Sequence, residues 1–359
     1  MAYTVQIGRR LFYGLRGNVH IHTTLSDGTL DHDALARIAG EAGLDFLIVT
    51  DHNVYPPGLD GWRGETLLLV GEEVHDPQRE QQSSHLLCFD IREDVAAHAA
   101  DPQAVLDAVA AQGGFAFLAH PFERDVAEFL PEPNISWRDW EVQGYAGLEL
   151  WNYMSEFKSA LKNKAYGLLY AYLPALSAHG PYPETLARWD ELLRSRPVAA
   201  LGGSDAHGTV YHLGPIERPV LPYDYLFRAL NTHLLSPEPL SGDLAHDRRL
   251  VYGALRAGQA FLGYEPPAPV AGFAFWARSG SGEATLGETL PLQGRVELRA
   301  TLPAPARLRL LREGQVLAET RGDRLAWVGR RPGAYRLEAQ RRHAGRWRSW
   351  ILSNPIYVG

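Results

Sequence analysis

Short apolar runs alternate with helical patterns from about residue 15 to residue 264. The apolar runs predict strands at 17–22, 46–52, 66–74, 85–91, 115–120, 147–152 and 199–207. Between the first two strands, the apolar positions of residues 31–42 fall on one helical face, and Gly43 is placed to end that helix. Residues 103–112 repeat the pattern and are followed by Gly113 and Gly114. This alternation is typical of a parallel sheet built from βα units.

Seven such strands favour a barrel closed on itself over an open sheet, because their apolar runs suit burial on both faces. A doubly wound sheet of the dinucleotide-binding type is the alternative. No G-x-G-x-x-G follows the first strand, which argues against it.

The pattern changes after a Pro-rich stretch at 264–269, which reads as a linker. Apolar and polar residues alternate at 296–300, 307–311 and 335–339, with turn signals at Glu313-Gly314 and Pro332-Gly333. This pattern predicts a small antiparallel sandwich. We therefore expect two domains, 1–264 and 265–359, and expect the second to serve packing or oligomer contact.

Composition narrows the class of protein. The chain has 359 residues, 45% of them hydrophobic, which is enough for a sizeable core. A net charge of −7 argues against binding of long nucleic acids. Cys88 is the one cysteine, so no intrachain disulfide can form. No apolar run approaches the ~18 residues of a membrane span, and we expect a cytoplasmic protein without membrane contact.

Histidines and carboxylates gather at the ends of the predicted strands. The segments are Asn18-Val-His20-Ile-His22-Thr-Thr-Leu-Ser-Asp27, Thr50-Asp51-His52, Gly71-Glu72-Glu73, Ser84-His85, His120-Pro121 and Gly203-Ser204-Asp205-Ala-His207. Residues i and i+2 of a strand share a face, so His20 and His22 can grip one metal ion. Alone, each segment is weak, because a core histidine is common. Six in succession at strand ends indicate a metal site.

As an ordered set, these segments resemble the PHP (polymerase and histidinol phosphatase) superfamily over roughly residues 15–264. Gly17-Asn-Val-His-Ile-His-Thr-Thr, Gly71-Glu-Glu-Val and Ser353-Asn-Pro-Ile-Tyr-Val resemble its carbaryl-hydrolase-like (CehA/McbA) branch more narrowly. Asn18 departs from the pattern, since many members carry Asp there. The resemblance implies an α/β fold in which a distorted (β/α)7 barrel precedes a small all-β sandwich-like domain.

The resemblance also implies a trinuclear metal centre. His20, His22, Glu73 and Asp205 would hold one ion. Glu73 would bridge to a second ion held by His85 and His120, and the third would be held by Asp27, His52 and His207. Glu73 is preferred to Glu72 because the family pattern is G-x-E and strand alternation lets only one of the two point inward. Asp51 is expected to orient a neighbouring group.

Two or three divalent ions, Mn²⁺, Fe²⁺ or Zn²⁺, suit ligands of this kind without thiolates. Of the other histidines, His75 among them, we expect surface or structural roles, with His179 and His212 the nearest to exceptions. Arg124, just after His120-Pro121, suits an oxyanion contact, and Glu149 and Asn152 are candidates to line the pocket.

The favoured function is a phosphoesterase that uses a metal-bridging hydroxide on a small phosphorylated compound or short nucleotide. Glu73, Asp205, His207 and Arg124 are its predicted catalytic residues. A hydrolase of carbamate or carboxylic esters, of the carbaryl-hydrolase type, is the first alternative. A non-catalytic metal-binding module is the second, and intact residues at all nine ligand positions argue against it.

Overall fold

The fold is described from a computed structural model, which covers residues 3–126, 133–213 and 216–359. The helices are α1 His32–Ala42, α2 Pro102–Ala111, α3 Tyr153–Ala160, α4 Lys164–Tyr172, α5 Pro183–Leu192, α6 Tyr223–Ala229 and α7 Leu244–Arg256. The first strands are β1 Tyr3–Ile7, β2 Arg10–Val19, β3 Phe46–Val49, β4 Gly61–Arg63, β5 Thr66–Val70, β6 Glu72–Val74, β7 Leu86–Phe89, β8 Phe115–Leu118, β9 Gly147–Asn152, β10 Ala199–Gly203, β11 Val210–Leu213 and β12 Ile216–Pro219. The remaining strands are β13 Leu230–Ser236, β14 Ala260–Tyr264, β15 Ala274–Ser279, β16 Gly282–Thr285, β17 Thr289–Leu290, β18 Val296–Arg312, β19 Gln315–Gly329, β20 Gly333–His343, β21 Arg346–Ser353 and β22 Ile356–Val358. The prediction of a mixed α/β chain is confirmed.

Two sheets carry the segments that the sequence singles out. In the first, β2, β3 and β5 run parallel, and β13 pairs antiparallel to β2. The second has the order β10-β9-β8-β7-β6. Parallel bridges at Ile21–Ala206 and His52–Glu73 connect the two sheets. These bridges bring the ends of β2, β3, β6 and β10 together, while a closed barrel of seven strands stays a prediction.

The expectation of a parallel sheet throughout is wrong in the second sheet. There β6, β7 and β8 pair antiparallel, and only β8, β9 and β10 are parallel. Parallel neighbours need a crossover of about a dozen or more residues, usually a helix. The connection from β6 to β7 holds only a short 3₁₀ turn at Glu80–Gln82, so the chain simply reverses.

The predicted strand 66–74 is also wrong as a single element. It breaks at Gly71 into β5 and β6, which belong to different sheets. A side chain at Gly71 would meet the Cys88 carbonyl oxygen at 2.5 Å, so only glycine lets the backbone pass there. The break delivers Glu73 to the place where the two sheets meet.

Burial on both faces, which the apolar runs predicted, is confirmed for β3. Phe46 and Ile48 pack in one apolar cluster, and Leu47 and Val49 pack in another on the opposite face. The helix before it begins at the cap Asp31, whose side chain accepts the N–H of Ala34 at 2.8 Å. It ends at Gly43 in a left-handed conformation, as predicted.

The C-terminal strands continue the first sheet. β14 pairs with both β13 and β21, so hydrogen bonding runs unbroken from β2 into the β-rich tail. The predicted strands 296–300 and 307–311 are one strand, β18, with a register shift between Thr301 and Ala306. The turn at Glu313-Gly314 has positive φ at both residues, as a tight hairpin requires. The domain boundary near residue 264 stays a prediction.

A buried ion pair ties the tail to the first part of the chain. Arg336 of β20 donates from Nε and Nη2 to the Asp190 carboxylate of α5, at 2.7 and 2.6 Å. The pair is bidentate. Both side chains are buried, so the pair is shielded from water. Among the described residues, no helix has the length and apolar character needed to cross a membrane.

We expect Asp190→Ala to lower the free energy of unfolding by about 2–3 kcal/mol, because it removes the bidentate partner of the buried Arg336 guanidinium and leaves Glu338 as its remaining carboxylate. Urea denaturation followed by circular dichroism measures the change. The control is Glu191→Ala on the same helix, which removes an exposed partner of Arg188 and should change stability by about 0.5 kcal/mol at most. Equal effects of the two substitutions would contradict a structural role for the buried pair.

Candidate metal centre

The Glu73 carboxylate lies at the centre of five imidazoles, four of which are buried. Five rings approach its two oxygens: His20, His22, His52, His85 and His120. Oε1 lies 2.7 Å from His85 Nδ1 and 3.0 Å from His120 Nε2. Glu73 and these two histidines form one group whose donor atoms lie within 4.8 Å of one another.

The other oxygen of Glu73 belongs to a second group. Oε2 lies 3.0 Å from His20 Nε2 and 3.2 Å from His22 Nε2. Asp205 Oδ1 lies 3.4 and 3.3 Å from the same two nitrogens. All four residues of this group are buried. One carboxylate therefore faces two adjoining sets of donors, one through each oxygen.

A third group opens toward solvent. Asp27 lies 3.3 Å from His207 Nε2 through Oδ1, and 3.8 Å from His52 Nε2 through Oδ2. His22 Nδ1 lies 3.8 Å from Asp27 Oδ1 and completes the set. The Asp27 side chain is 56% exposed, His52 23% and His207 15%. Solvent therefore reaches the centre at this group rather than at the two buried ones.

The donors fit divalent cations. Both ring nitrogens of His22 and Nδ1 of His52 are buried without a hydrogen-bond partner. A buried polar atom without a partner costs free energy, and a coordinated ion removes that cost. Imidazole nitrogens and carboxylate oxygens without thiolates suit Mn²⁺, Fe²⁺ and Zn²⁺.

Three of the clustered residues have left-handed backbones. His20, His120 and Asp205 have φ of 62°, 26° and 52°, a region that non-glycine residues seldom occupy. Each lies one or two residues after the end of a strand, namely β2, β8 and β10, so the chain turns sharply where its side chain enters the cluster. Such local strain is typical of functional sites and persists only where surrounding contacts hold it.

Glu149, a candidate from the sequence, forms hydrogen bonds to two histidines of the cluster. Its Oε1 accepts from His20 Nδ1 at 2.7 Å, which leaves His20 Nε2 free to face Glu73. Its Oε2 accepts the backbone N–H of His120 at 2.7 Å and the Asn152 amide at 3.0 Å. Asn152 Nδ2 also lies 3.2 Å from Asp205 Oδ2. A carboxylate behind a ligating histidine fixes its tautomer and orientation.

Asp51 orients a neighbouring segment, in the way expected from the sequence. It accepts from the Thr23 N–H at 2.7 Å, the Thr23 hydroxyl at 2.8 Å and the Ser26 hydroxyl at 2.7 Å. These bonds hold the loop that carries Asp27. Asn18 has a similar part: its Oδ1 accepts from the Ser204 hydroxyl at 2.6 Å, which ties β2 to the residue before Asp205.

Gly203, the second of the two glycines before Ser204, is required because a side chain there would clash with Glu149. A side chain at this position would lie 1.8 Å from the Glu149 carboxylate. The absent side chain lets Glu149 reach His20 past the backbone of β10.

Glu73 and Asp205 are held in their ionised form, which favours the binding of cations. Burial opposes ionisation of Glu73, but His20 and the other nearby imidazoles outweigh it and keep the pKa of Glu73 well below its usual range. Burial likewise opposes ionisation of Asp205, whose pKa is held well below its usual range by His20 and His22. Burial lowers the pKa of His22, and the Asp205 and Glu73 carboxylates raise it to about 9. Because a ligand must be neutral imidazole, metal binding releases this proton.

His75 is the residue that the sequence analysis missed. It is buried, and its ring stacks on that of His85 with centroids 4.3 Å apart. It also lies edge-on to His52 at 5.0 Å, and its Nδ1 has no hydrogen-bond partner. Its position two residues after Glu73 on one strand face was the available signal.

Three other candidates lie away from the cluster or cannot be placed. The described contacts of Arg124 are with Tyr182, 4.8 Å from the ring centre, and Glu184 at 3.5 Å. Its contact with an oxyanion stays a prediction. His179 lines a separate cavity. The side chain of His212 lies outside the described part of the structure.

Glu156 is a buried acid beside the centre, in a small cavity that His120 and Glu149 also line. Burial raises its pKa to about 7, although the N–H groups of His179 and Gly180 act in the opposite direction. A folded-state pKa above the unfolded value of 4.5 means that the folded state binds the extra proton. This contribution to stability is therefore complete below pH 4.5 and is lost as pH rises through about 7.

Between about pH 5 and pH 8, we expect the free energy of unfolding to decrease less steeply with pH in Glu156→Gln than in wild type, because glutamine does not titrate. Urea denaturation at a series of pH values measures the slope. Glu141→Gln, at an exposed position, serves as the control and should keep the wild-type slope. An unchanged slope in the Glu156 variant would show that this acid is ionised throughout the range.

We expect Glu73→Gln to lower metal content sharply, since one amide cannot replace a carboxylate that faces two groups of donors. Glu72→Gln is the matched control, because Glu72 accepts the Val95 N–H at 3.1 Å and lies outside the cluster. Elemental analysis after dialysis counts the bound ions, and circular dichroism checks the fold. Full metal content in the Glu73 variant would contradict a central role for this carboxylate.

No family model matches the chain, and no curated protein matches it. Nine chains of solved structures match. A two-domain protein from Bacteroides vulgatus, described as containing a predicted PHP-like metal-dependent phosphoesterase, is 15% identical with a TM-score of 0.46, covering 98% of this chain and 99% of that one. A protein from Bifidobacterium adolescentis, whose proposed activity is that of a metal-dependent phosphoesterase, is 17% identical with a TM-score of 0.33, covering 59% and 94%. An amidohydrolase from Chromobacterium violaceum, with bound sulfate and no metal, is 15% identical with a TM-score of 0.28, covering 57% and 94%. Similarity this distant leaves function to be argued from the site.

Proposed function

We propose that this protein is a metal-dependent hydrolase of phosphate esters that acts on a small molecule. The observation that carries the proposal is the Glu73 carboxylate, which is shared between two buried groups of histidines and lies beside a third, open group. A structural carboxylate needs one or two partners, whereas this one is approached by five imidazoles. Nine residues in such proximity suit two or three divalent ions.

The candidate ligands form three sets that differ in burial. His20, His22 and Asp205 form one set of ligands with Glu73, and His85 and His120 form another. Asp27, His52 and His207 form the third, at the solvent side. Divalent ions bound here would lower the pKa of a coordinated water and polarise the substrate.

The protein's own groups orient these ligands. Glu149 accepts a hydrogen bond from His20 Nδ1–H, which leaves the Nε2 lone pair of His20 facing Glu73. The Asp205 carbonyl does the same for His207, whose Nδ1 lies 2.9 Å away. His207 Nε2 then faces Asp27 at the open side of the centre. We infer that substrate enters at this side.

A phosphate ester is the favoured substrate for two reasons. Several cations in one cluster suit a group with two or more anionic oxygens. The ordered motifs also resemble the PHP superfamily of phosphoesterases, whereas their narrower resemblance to its carbaryl-hydrolase-like branch supports the ester alternative. The same centre can attack a carbamate or carboxylic ester, so the assay must separate these electrophiles.

We expect the Mn²⁺-loaded protein to hydrolyse p-nitrophenyl phosphate or bis-p-nitrophenyl phosphate, and to lose the activity when a chelator is added. The corresponding p-nitrophenyl carboxylic and carbamate esters share the leaving group, so absorbance at one wavelength compares all four. Turnover of the carboxylic or carbamate esters alone would contradict the phosphoesterase proposal and favour the carbaryl-hydrolase type.

On whichever p-nitrophenyl esters are hydrolysed, Asp205→Ala should reduce turnover at least ~100-fold. Glu149→Gln should reduce it about 10–100-fold, because His20 is then misoriented. His98→Ala, at an exposed histidine outside the cluster, is the control and should behave as wild type. Near-wild-type turnover in the Asp205 variant would exclude the proposed ligand set.

A further inference from the structure

A second cavity lies between the helical segment after β9 and the C-terminal strands. Its volume is about 610 Å³, within the range of about 300–1,000 Å³ typical of small-molecule pockets. One wall comes from α3 and α4 with the loop around His179, and the other from β18, β20 and β21. None of the nine residues of the candidate metal centre lines it.

The charge of this cavity is opposite to that of the chain. Its lining includes four cations, Arg124, Lys162, Arg309 and Arg346, in a chain of net charge −7. The two acids of the lining are already engaged. Glu338 accepts from the buried Arg336 at 2.6 Å, and Glu156 accepts backbone N–H groups.

Two of the four cations lack a carboxylate partner. Arg124 pairs with Glu184 at 3.5 Å, and Arg309 with Glu319 at 3.3 Å. Lys162 and Arg346 have no such ion pair in the described part of the chain. Their charges are therefore available to a ligand.

Arg346 is held toward the cavity by a neutral group. The His179 Nδ1–H donates to the Ser177 carbonyl oxygen at 2.7 Å, so His179 Nε2 is the acceptor for Arg346 Nη1 at 3.4 Å. Burial and the nearby Arg348 guanidinium lower the pKa of His179, which keeps the ring neutral. This bond orients the guanidinium without neutralising it.

Aromatic rings complete the lining. Tyr166 and Tyr170 of α4 have ring centroids 5.6 Å apart, and Tyr166 is 38% exposed. Tyr182, on the loop, lies under the Arg124 guanidinium at 4.8 Å. Exposed aromatic faces beside guanidinium groups suit a planar ring that carries negative charge.

The two walls are fixed to each other, so the cavity is preformed. The Ser349 N–H of β21 donates to the His179 carbonyl oxygen at 2.9 Å. The buried pair of Arg336 and Asp190 joins β20 to α5 close by. A preformed pocket binds a ligand without the cost of ordering loops.

We propose that this cavity binds a small anion that carries an aromatic ring, at a site separate from the metal centre. The anion lies between Lys162 and Arg346, and the ring lies against Tyr166 and Tyr170. The proposal is independent of the hydrolase activity, since binding here needs neither turnover nor any of the nine clustered residues.

The test is calorimetric titration of the metal-loaded, full-length protein with phenylphosphonate, which has a ring, an anion and no scissile ester. Lys162→Gln/Arg346→Gln is the test variant. Lys164→Gln/Arg342→Gln removes the same charges at exposed positions outside the lining and is the matched control.

We expect wild type and control to bind phenylphosphonate at the cavity with equal affinity, and the test variant to bind there at least ~10-fold more weakly, since it loses two charged contacts. Methylphosphonate, which lacks the ring, should bind the wild-type cavity more weakly than phenylphosphonate. Hydrolysis of p-nitrophenyl esters by the variants reports on the metal centre separately. Isotherms of test and control variants that coincide, with both folded by circular dichroism, would overturn the proposal.

Discussion

The arrangement of this protein depends on a carboxylate that is buried among histidines. Glu73 has to stay ionised in a place that water does not reach, and only the surrounding imidazoles make this possible. Its two oxygens face different groups of donors, so Glu73 sets the spacing between the two buried halves of the centre. A charge of this kind is strongly unfavourable without partners. The surrounding structure therefore has to supply five rings at hydrogen-bonding distance.

The fold supplies those rings where its two sheets meet. The break at Gly71 moves the chain from the first sheet to the second just before Glu73. The bridge between His52 and Glu73 then holds the two sheets together at that point. Left-handed backbones at His20, His120 and Asp205 turn the side chains inward, and the Glu149 network holds them there. These hydrogen bonds help to hold the strained backbone in place.

The β-rich tail is part of the same construction. It extends the first sheet through β14 and β21, and Arg336 anchors it to α5. The tail also provides one wall of the cationic cavity, so it gives the chain a second concave surface as well as packing contacts. The metal centre combines carboxylates with imidazoles, whereas four cations line the cavity. The loop at Gly180 to Tyr182 borders both the cavity and the small pocket beside His120. The chain therefore offers two chemically different sites on one framework.

The sequence alone determined the α/β class, the two differently patterned parts and the residues that gather in the cluster. Strand-end positions and i, i+2 spacing are local properties, so the six segments can be read without coordinates. The choice of nine ligands within them came from the resemblance to the PHP superfamily. It did not determine the antiparallel pairing of β6, β7 and β8 or the break at Gly71, because partner choice depends on which strands meet in space. Nor did it show His75, which differs from an ordinary core histidine only by its distance to His85 and His52. The same holds for the cationic cavity, since Lys162 and Arg346 are far apart along the chain and only tertiary packing places them on one surface.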